Sequence, residues 1–178
     1  MIIDVLELQE RKEPLIVEHT FLPHEIPLKN HLFALRNPVR FAGSITPVAA
    51  HDIRIQGTLS TRVDLVCVRC LQGFQEEIKK SFDLTYVPNE EIQFAEEVEL
   101  TYEDLDVGFF SEFKIDLNSV IIEQIMLEIP MKPVCSPTCR GLCDQCGANL
   151  NLRSCDCVKK NDDPRWARLA ELRDRFKK

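Results

Sequence analysis

Apolar and polar residues alternate along the first half of the chain with a period of two, which places every second side chain on one face of a strand. The clearest run lies between Ile53 and Leu65, where apolar residues alternate with charged and polar ones. Cys67 and Cys70 follow this run, at a predicted turn before the next strand. The predicted strands lie at residues 1–8, 14–22, 39–45, 53–65 and 74–86. The pattern predicts an antiparallel sheet or a partly open barrel, with another turn around residues 47–52.

The hydrophobic period changes to that of a helix in two later segments. Asp116 has the character of an N-cap, and apolar residues then recur at helical spacing until Pro130. This pattern predicts a core helix over residues 116–129. Asp163 and Pro164 begin a second helical pattern that carries a stripe of apolar residues. The stripe consists of Trp166, Leu169, Leu172 and Phe176.

Charge is spread unevenly over the chain, whose formal net charge is −7. Residues 88–112 hold nine acidic side chains and no Lys or Arg, whereas residues 131–178 hold eleven basic and six acidic groups, a net of +5. The acidic segment predicts a solvated loop, and the alternative is an arm that folds over a basic surface or mimics nucleic acid. The C-terminal segment predicts a locally basic surface on an acidic protein.

Cysteine is the most unusual component of the composition, with eight residues in 178. Six of them fall within 23 residues, between Cys135 and Cys157. The first residues lack the basic and apolar regions of a signal peptide, and no apolar stretch approaches the ~18 residues that span a bilayer. We therefore expect a cytosolic protein with reduced thiols, in which clustered cysteines bind metal rather than form disulfides.

The cysteines form four local pairs, and these can be assembled into two four-ligand sites in three ways. The pairs are Cys67 with Cys70, Cys135 with Cys139, Cys143 with Cys146, and Cys155 with Cys157. The last two pairs are preferred as one site because the short loop between them costs little closure entropy. The first two pairs would then hold the C-terminal segment onto the sheet. Gly147 supplies the positive φ that a metal knuckle needs after its second ligand.

Zinc is the expected metal, with one or two structural ions per chain. Cys-x2-Cys knuckles are typical of zinc, and an iron–sulfur cluster is the main alternative because it also takes four thiolates. The fold class is then α+β: an antiparallel β-sheet or partly open barrel with a core helix, a zinc-knuckle segment and a C-terminal helix. Two parts are predicted, a β domain over residues 1–130 and a metal-binding segment with a basic helix over residues 131–178.

No catalytic centre is evident in the sequence. Four thiolates around zinc leave no open position for water, so the sites are structural. The four histidines lie apart, and phosphate-binding, nucleophile-elbow and metalloprotease motifs are absent. We expect a protein that is not an enzyme.

The cysteine motifs resemble those of the YceD family, over roughly residues 35–175. The resemblance rests on Cys67-Val68-Arg69-Cys70-Leu71 and Pro130, on the run from Cys135 to Cys157, and on Asp163-Pro164-Arg165. Within that run the shared features are Cys139-Arg140-Gly141-Leu142-Cys143, Cys146-Gly147-Ala148-Asn149-Leu150-Asn151 and the final Cys155-x-Cys157. The resemblance implies a non-enzymatic role in ribosome biogenesis, in the accumulation of large-subunit ribosomal RNA.

Basic side chains lie within or beside the cysteine turns, which favours contacts to RNA phosphates. The candidates are Arg69, Arg140, Arg153, Lys159 and Lys160. The cysteine-rich run has no aromatic residue, so backbone or shape recognition of ribosomal RNA or a large-subunit precursor is favoured over base stacking. The same groups could instead neutralise the zinc–thiolate units. A different class of function also stays open: an adaptor that holds a ribosomal protein, with the acidic segment contacting its basic surface.

Overall fold

The computed structural model of the protein describes residues 1–11, 13–28, 32–49, 51–89 and 106–157. The chain divides into two compact units. The first contains Met1–Val68 and Gln72–Cys135, and the second contains Arg69–Leu71 and Ser136–Lys178. The predicted C-terminal helix and most of the acidic segment over residues 88–112 lie outside the described residues.

The first unit is built mainly of strands, with two helices, which confirms the α+β class. Its elements are β1 Ile2–Asp4, α1 Val5–Arg11, β2 Leu15–Phe21, β3 Phe33–Leu35, β4 Val39–Ala49, β5 Asp52–Val66, β6 Gly73–Pro88, β7 Val107–Phe110, β8 Lys114–Asp116 and α2 Leu117–Glu128. The main sheet has the order β2-β4-β5-β6-β7, and β3 also pairs with β5. The strand pairs are antiparallel except for β6 and β7, which are parallel. Among the described strands β2 and β7 do not pair with each other, so the sheet is open and not a closed barrel.

Three details of the predicted elements are wrong. The predicted strand over residues 1–8 is a strand only at Ile2–Asp4, because Asp4 caps the helix α1 by accepting hydrogen bonds from the backbone N–H groups of Leu6 and Glu7. The predicted turn at residues 47–52 is shorter, because β4 continues to Ala49 and β5 begins at Asp52. The acidic segment is not a loop throughout, because its residues Val107–Phe110 form the edge strand β7.

The core lies on one face of the main sheet, where Phe41 occupies the space above two glycines. A Cβ atom at Gly57 would lie 2.4 Å from the Phe41 ring, and one at Gly43 would lie 2.7 Å from it. The Phe41 ring also stacks on Phe82 at a centroid distance of 5.9 Å. Glycine at these two positions is therefore what allows a large aromatic ring to lie flat against the strands.

Helix α2 covers this core, and its N-cap is the predicted one. The Asp116 side chain accepts a hydrogen bond from the backbone N–H of Asn118. The helix buries an apolar face consisting of Leu117, Val120, Ile121 and Ile125. Lys80 of β6 also forms an ion pair with Glu128 of α2, at 2.7 Å. No helix in the described ranges combines the length and the apolar character needed to cross a membrane.

Candidate metal centres

The structure brings the eight cysteines together as two groups of four. The first quartet is Cys67, Cys70, Cys135 and Cys139, and the second quartet is Cys143, Cys146, Cys155 and Cys157. Within each quartet the sulfur atoms all lie within 4.8 Å of one another. Four sulfurs at about 2.3 Å from a tetrahedral zinc ion would be about 3.8 Å apart, so both groups could hold a metal ion. This grouping is the one that loop length favours, and the ligand role of each cysteine stays a prediction.

A tight turn arranges the first two cysteines of the second quartet. The N–H of Gly147 donates to the carbonyl oxygen of Cys143 at 2.9 Å, and the N–H of Cys143 donates to the carbonyl oxygen of Ala148 at 2.8 Å. The N–H of Gln145 points at the Cys143 sulfur, at 3.4 Å. Gly147 has a φ of 69°, in the left-handed region that favours glycine. The turn therefore brings the sulfurs of Cys143 and Cys146 within 4.8 Å of each other and supplies a backbone hydrogen bond to the Cys143 sulfur.

Two thiols of the second quartet, Cys143 and Cys157, have pKa values shifted in opposite directions. Hydrogen bonds from the backbone N–H groups of Cys146 and Gln145, and then from the Cys155 side chain, lower the pKa of Cys143 to about 6. The hydrogen bond to Cys146 raises the pKa of Cys157 to about 12, and the negative charge of its neighbours adds to this effect. The Cys143 thiolate thus forms readily near neutral pH, whereas the negative charge already present opposes the ionisation of Cys157. A dication at the centre would remove this opposition.

A loop that follows the first quartet is fixed by Asn151, a residue to which the sequence assigned no role. Its side-chain oxygen accepts a hydrogen bond from the backbone N–H of Arg140 at 2.7 Å, and its side-chain nitrogen donates to the Cys139 sulfur at 3.2 Å. An N–H···S bond of this kind stabilises a thiolate. The only sequence signal for this role is the place of Asn151 in the motif shared with the YceD family.

The first quartet is more buried than the second. Cys67, Cys70 and Cys139 are buried and Cys135 is exposed, whereas the second quartet contains no buried cysteine. The N–H of Cys67 donates to the carbonyl oxygen of Gln72 at 2.9 Å. A metal ion held by buried thiolates exchanges more slowly with solvent and with chelators, so the two quartets differ in accessibility.

Leu71 occupies the same position after Cys70 that Gly147 occupies after Cys146. Its φ is 58°, and its side chain is 63% exposed. A non-glycine residue in the left-handed region costs roughly 1–2 kcal/mol. The turn geometry is therefore not the one that leucine prefers, and the backbone hydrogen bond from Cys67 N–H to the carbonyl oxygen of Gln72 closes the same turn.

Replacing Leu71 with glycine should stabilise the protein, by up to about 1 kcal/mol, because the strain is removed at some cost in unfolded-state entropy. Chemical denaturation of the metal-loaded protein measures the change. Leu152→Gly is the matched control, since Leu152 is also exposed, at 79%, and does not have a positive φ. Leu152→Gly should lower the free energy of unfolding slightly. If Leu71→Gly lowers it by the same amount, the left-handed backbone at Leu71 is not strained.

The candidate RNA-binding residues differ in their surroundings. The Arg69 guanidinium donates to the carbonyl oxygens of Cys139 at 3.1 Å and Pro137 at 3.4 Å, so it supports the turn beside the first quartet. Arg140 and Arg153 are exposed, and within the described residues neither forms an ion pair. Lys159 and Lys160 lie outside the described residues.

Most of the predicted positive charge of the C-terminal segment also lies beyond the described residues. Residues 131–157 hold three basic and two acidic side chains, a net of +1, against +5 for residues 131–178. Each zinc ion with four thiolates would add −2. Residues 131–157 are therefore not strongly basic themselves, and their three cations, Lys132, Arg140 and Arg153, are all exposed, as is Arg69 in the turn between Cys67 and Cys70.

Comparison with known proteins shows which protein family the chain is similar to. Residues 55–173 match the family model described as large ribosomal RNA subunit accumulation protein YceD. The chain is 32% identical over 146 residues to the Arabidopsis thaliana protein named large ribosomal RNA subunit accumulation protein YCED homolog 1, chloroplastic, which covers 70% of this chain and 45% of that protein. The Zea mays protein of the same name is 29% identical over 149 residues, covering 71% of this chain and 50% of that protein.

A bacterial protein is similar to the same extent. An uncharacterised Mycobacterium tuberculosis protein is 33% identical over 124 residues, which is 69% of this chain and 56% of that protein. The chain thus spans about half the length of the curated relatives it matches. No solved structure matches it.

Proposed function

The chain belongs to the YceD family, since the family model matches well over half of its residues, and from this premise we propose that it is a non-enzymatic ribosome biogenesis factor. The family is described by its link to the accumulation of large-subunit ribosomal RNA. The proposed role is binding to that RNA or to a large-subunit precursor, which would protect the RNA or keep it in a foldable state. The observation that carries the proposal is the family membership, together with two quartets that could hold metal ions.

We further propose that both quartets hold structural zinc. The eight sulfurs supply two four-thiolate sets, and such sets leave no open position for a reacting water molecule. The residues that would hold the ions are the eight cysteines, and the chemistry that zinc would supply is cross-linking of otherwise weakly packed turns. The backbone donors at Cys143 and the Asn151 contact at Cys139 favour thiolates in these positions.

The exposed guanidinium groups of Arg140 and Arg153 are the described side chains that fit RNA phosphates in this segment. Arg140 lies next to a quartet cysteine, and its backbone N–H is bound by Asn151 at 2.7 Å. The backbone N–H of Arg153 donates to the carbonyl oxygen of Asn149 at 3.1 Å. A side chain on a fixed backbone loses little further entropy when it contacts a phosphate.

Reversing both charges, in the variant Arg140→Glu with Arg153→Glu, should weaken RNA binding at all sequences. The salt dependence of log affinity should become less steep by about 1.4–1.8, because each lost phosphate contact removes about 0.7–0.9. Titrations of ribosomal RNA fragments at three salt concentrations measure both effects.

The control is Lys114→Glu with Lys132→Glu, which makes the same change in net charge at two exposed lysines that lie three residues or more from any cysteine in the sequence. Zinc content should be equal in all three proteins, because none of the four residues is a cysteine. An RNA affinity that is the same in the arginine variant and the control would contradict contacts at the cysteine turns. Absence of RNA binding in the wild-type protein would instead favour the adaptor function.

A further inference from the structure

The face of the main sheet opposite the core carries a row of polar side chains on four adjacent strands. Thr20, Arg40, Ser60 and Lys79 are direct cross-strand partners on β2, β4, β5 and β6. Because neighbouring strands lie about 4.8 Å apart, the backbones of Arg40 and Lys79 are separated by roughly 10 Å. Both side chains are exposed.

A second row lies beside the first on the same face. It consists of Glu18, Ala42, Thr58 and Ser81, which are again cross-strand partners. The eight residues of the two rows are called the polar sheet face below. They line an open cavity of about 640 Å³ on the surface of the first unit.

The polar sheet face has short side chains in its middle, and its two cations, Arg40 and Lys79, lie on either side of Ser60. Ala42, Thr58 and Ser60 form the floor, so an extended chain could approach the sheet closely. Arg40 forms no ion pair within the described residues, and Lys79 pairs with Glu77 at 3.1 Å, where both side chains are largely exposed. Such exposed pairs contribute little and are readily exchanged.

The chemistry of this face fits an anionic backbone better than bases or an apolar peptide. Hydroxyl, guanidinium and ammonium groups are the side-chain donors that bind phosphate oxygens in nucleic-acid complexes. None of the eight residues is aromatic, so the face offers no stacking platform for bases. Its one carboxylate, Glu18, lies at the β2 edge, and the other seven residues are cationic, hydroxyl-bearing or small.

We propose that the polar sheet face is a second contact surface for the RNA backbone, with Arg40 and Lys79 as its phosphate-binding cations. This inference rests on the RNA-binding function proposed above and assigns that function a site on the first unit, away from the cysteine turns in sequence. Recognition there is of phosphates and is independent of base sequence. An acidic protein segment is the other ligand that two cations could bind.

The variant Arg40→Glu with Lys79→Glu tests the surface, using single-stranded and double-stranded ribosomal RNA fragments as probes. The salt dependence of log affinity should become less steep by about 1.4–1.8, and the affinity at 0.1 M salt should fall roughly 25- to 60-fold. The opposite change, Glu18→Gln, should strengthen binding because it removes the one carboxylate among the eight residues of the polar sheet face. Both variants change exposed residues, and circular dichroism checks that the sheet is intact. If the double reversal disturbs it, Arg40→Gln with Lys79→Gln is used instead.

The outcomes separate this surface from the wider proposal. If the Lys114→Glu, Lys132→Glu control and the polar-sheet-face variant bind RNA equally, while Arg140→Glu with Arg153→Glu weakens binding, the polar sheet face is excluded and RNA binding by the protein stands. If the wild-type protein binds neither the single-stranded nor the double-stranded fragments, the RNA-binding function and the polar sheet face as its site both fail. Polyglutamate that displaces RNA as effectively as unlabelled RNA of equal charge would also overturn the assignment to RNA, in favour of an acidic protein ligand.

Discussion

Removal of metal with a strong chelator should unfold the described part of the second unit while the main sheet of the first unit stays folded. Among residues 136–157 the buried hydrophobic residues are Cys139 and Ala148, so this segment has almost no apolar core to replace metal binding. Structural zinc contributes on the order of 10–16 kcal/mol in small zinc-binding peptides, which exceeds the stability of most domains. The first unit, in contrast, contains the extended hydrophobic core beneath α2.

Hydrogen exchange with and without chelator measures this difference residue by residue. Amides of residues 136–157 should lose protection, those of β4, β5 and β6 should keep it, and added zinc should restore the first group. Elemental analysis of protein purified without added metal should find one to two zinc ions per chain. Iron with visible absorbance would contradict zinc, and global unfolding on chelation would contradict the independence of the sheet.

Replacing Phe41 with alanine should destabilise the protein by about 3–5 kcal/mol, the range measured for aromatic residues in well-packed cores. Phe41 is 2% exposed, stacks on Phe82 and fills the space above Gly43 and Gly57. The two glycines have no side chains that could expand into the cavity, so the site cannot collapse easily. Urea denaturation of the zinc-loaded protein, followed by the far-ultraviolet signal of the sheet, measures the loss.

The matched control is Phe109→Ala, because Phe109 is a phenylalanine on the edge strand β7 and is 54% exposed. Its replacement should change stability by at most about 1 kcal/mol. A small loss at Phe41, equal to that at Phe109, would mean that the ring does not form part of a close-packed core.

Sequence alone predicted the long strands and α2, because their signals are local and strong. The alternation from Ile53 to Leu65 and the Asp116 cap each follow from neighbouring residues. Helix α1 was missed because its two buried residues, Val5 and Leu8, lie in a run of mixed apolar and acidic residues that also resembles a strand. Strand β7 was missed because its hydrogen-bond partner is β6, about twenty residues earlier in the chain.

The cysteines of the candidate site could be predicted from the sequence, but the hydrogen bonds that hold their turns in place could not. The spacing of the cysteines, with loop length, led to the two quartets that the structure groups together. The contacts of Asn151 and Arg69 depend on where loops distant in sequence meet, and no local pattern encodes that. The polar sheet face was missed for the same reason, since its two rows become visible only when the strand register is known.

The pairing of β1 with β8 determines when the first unit can finish folding during synthesis. Ile2 pairs with Asp116 and Ile3 pairs with Ile115, so the partners of these two residues are made about 110 residues later in the chain. At translation rates of about 5–20 residues per second, the first strand waits roughly 6–22 s for its partner. The apolar residues Ile3 and Val5, both buried in the finished structure, should then stay unburied for that time, which limited proteolysis of stalled nascent chains can test. A nascent chain released before residue 114 would lack the strand that pairs with Ile2–Asp4.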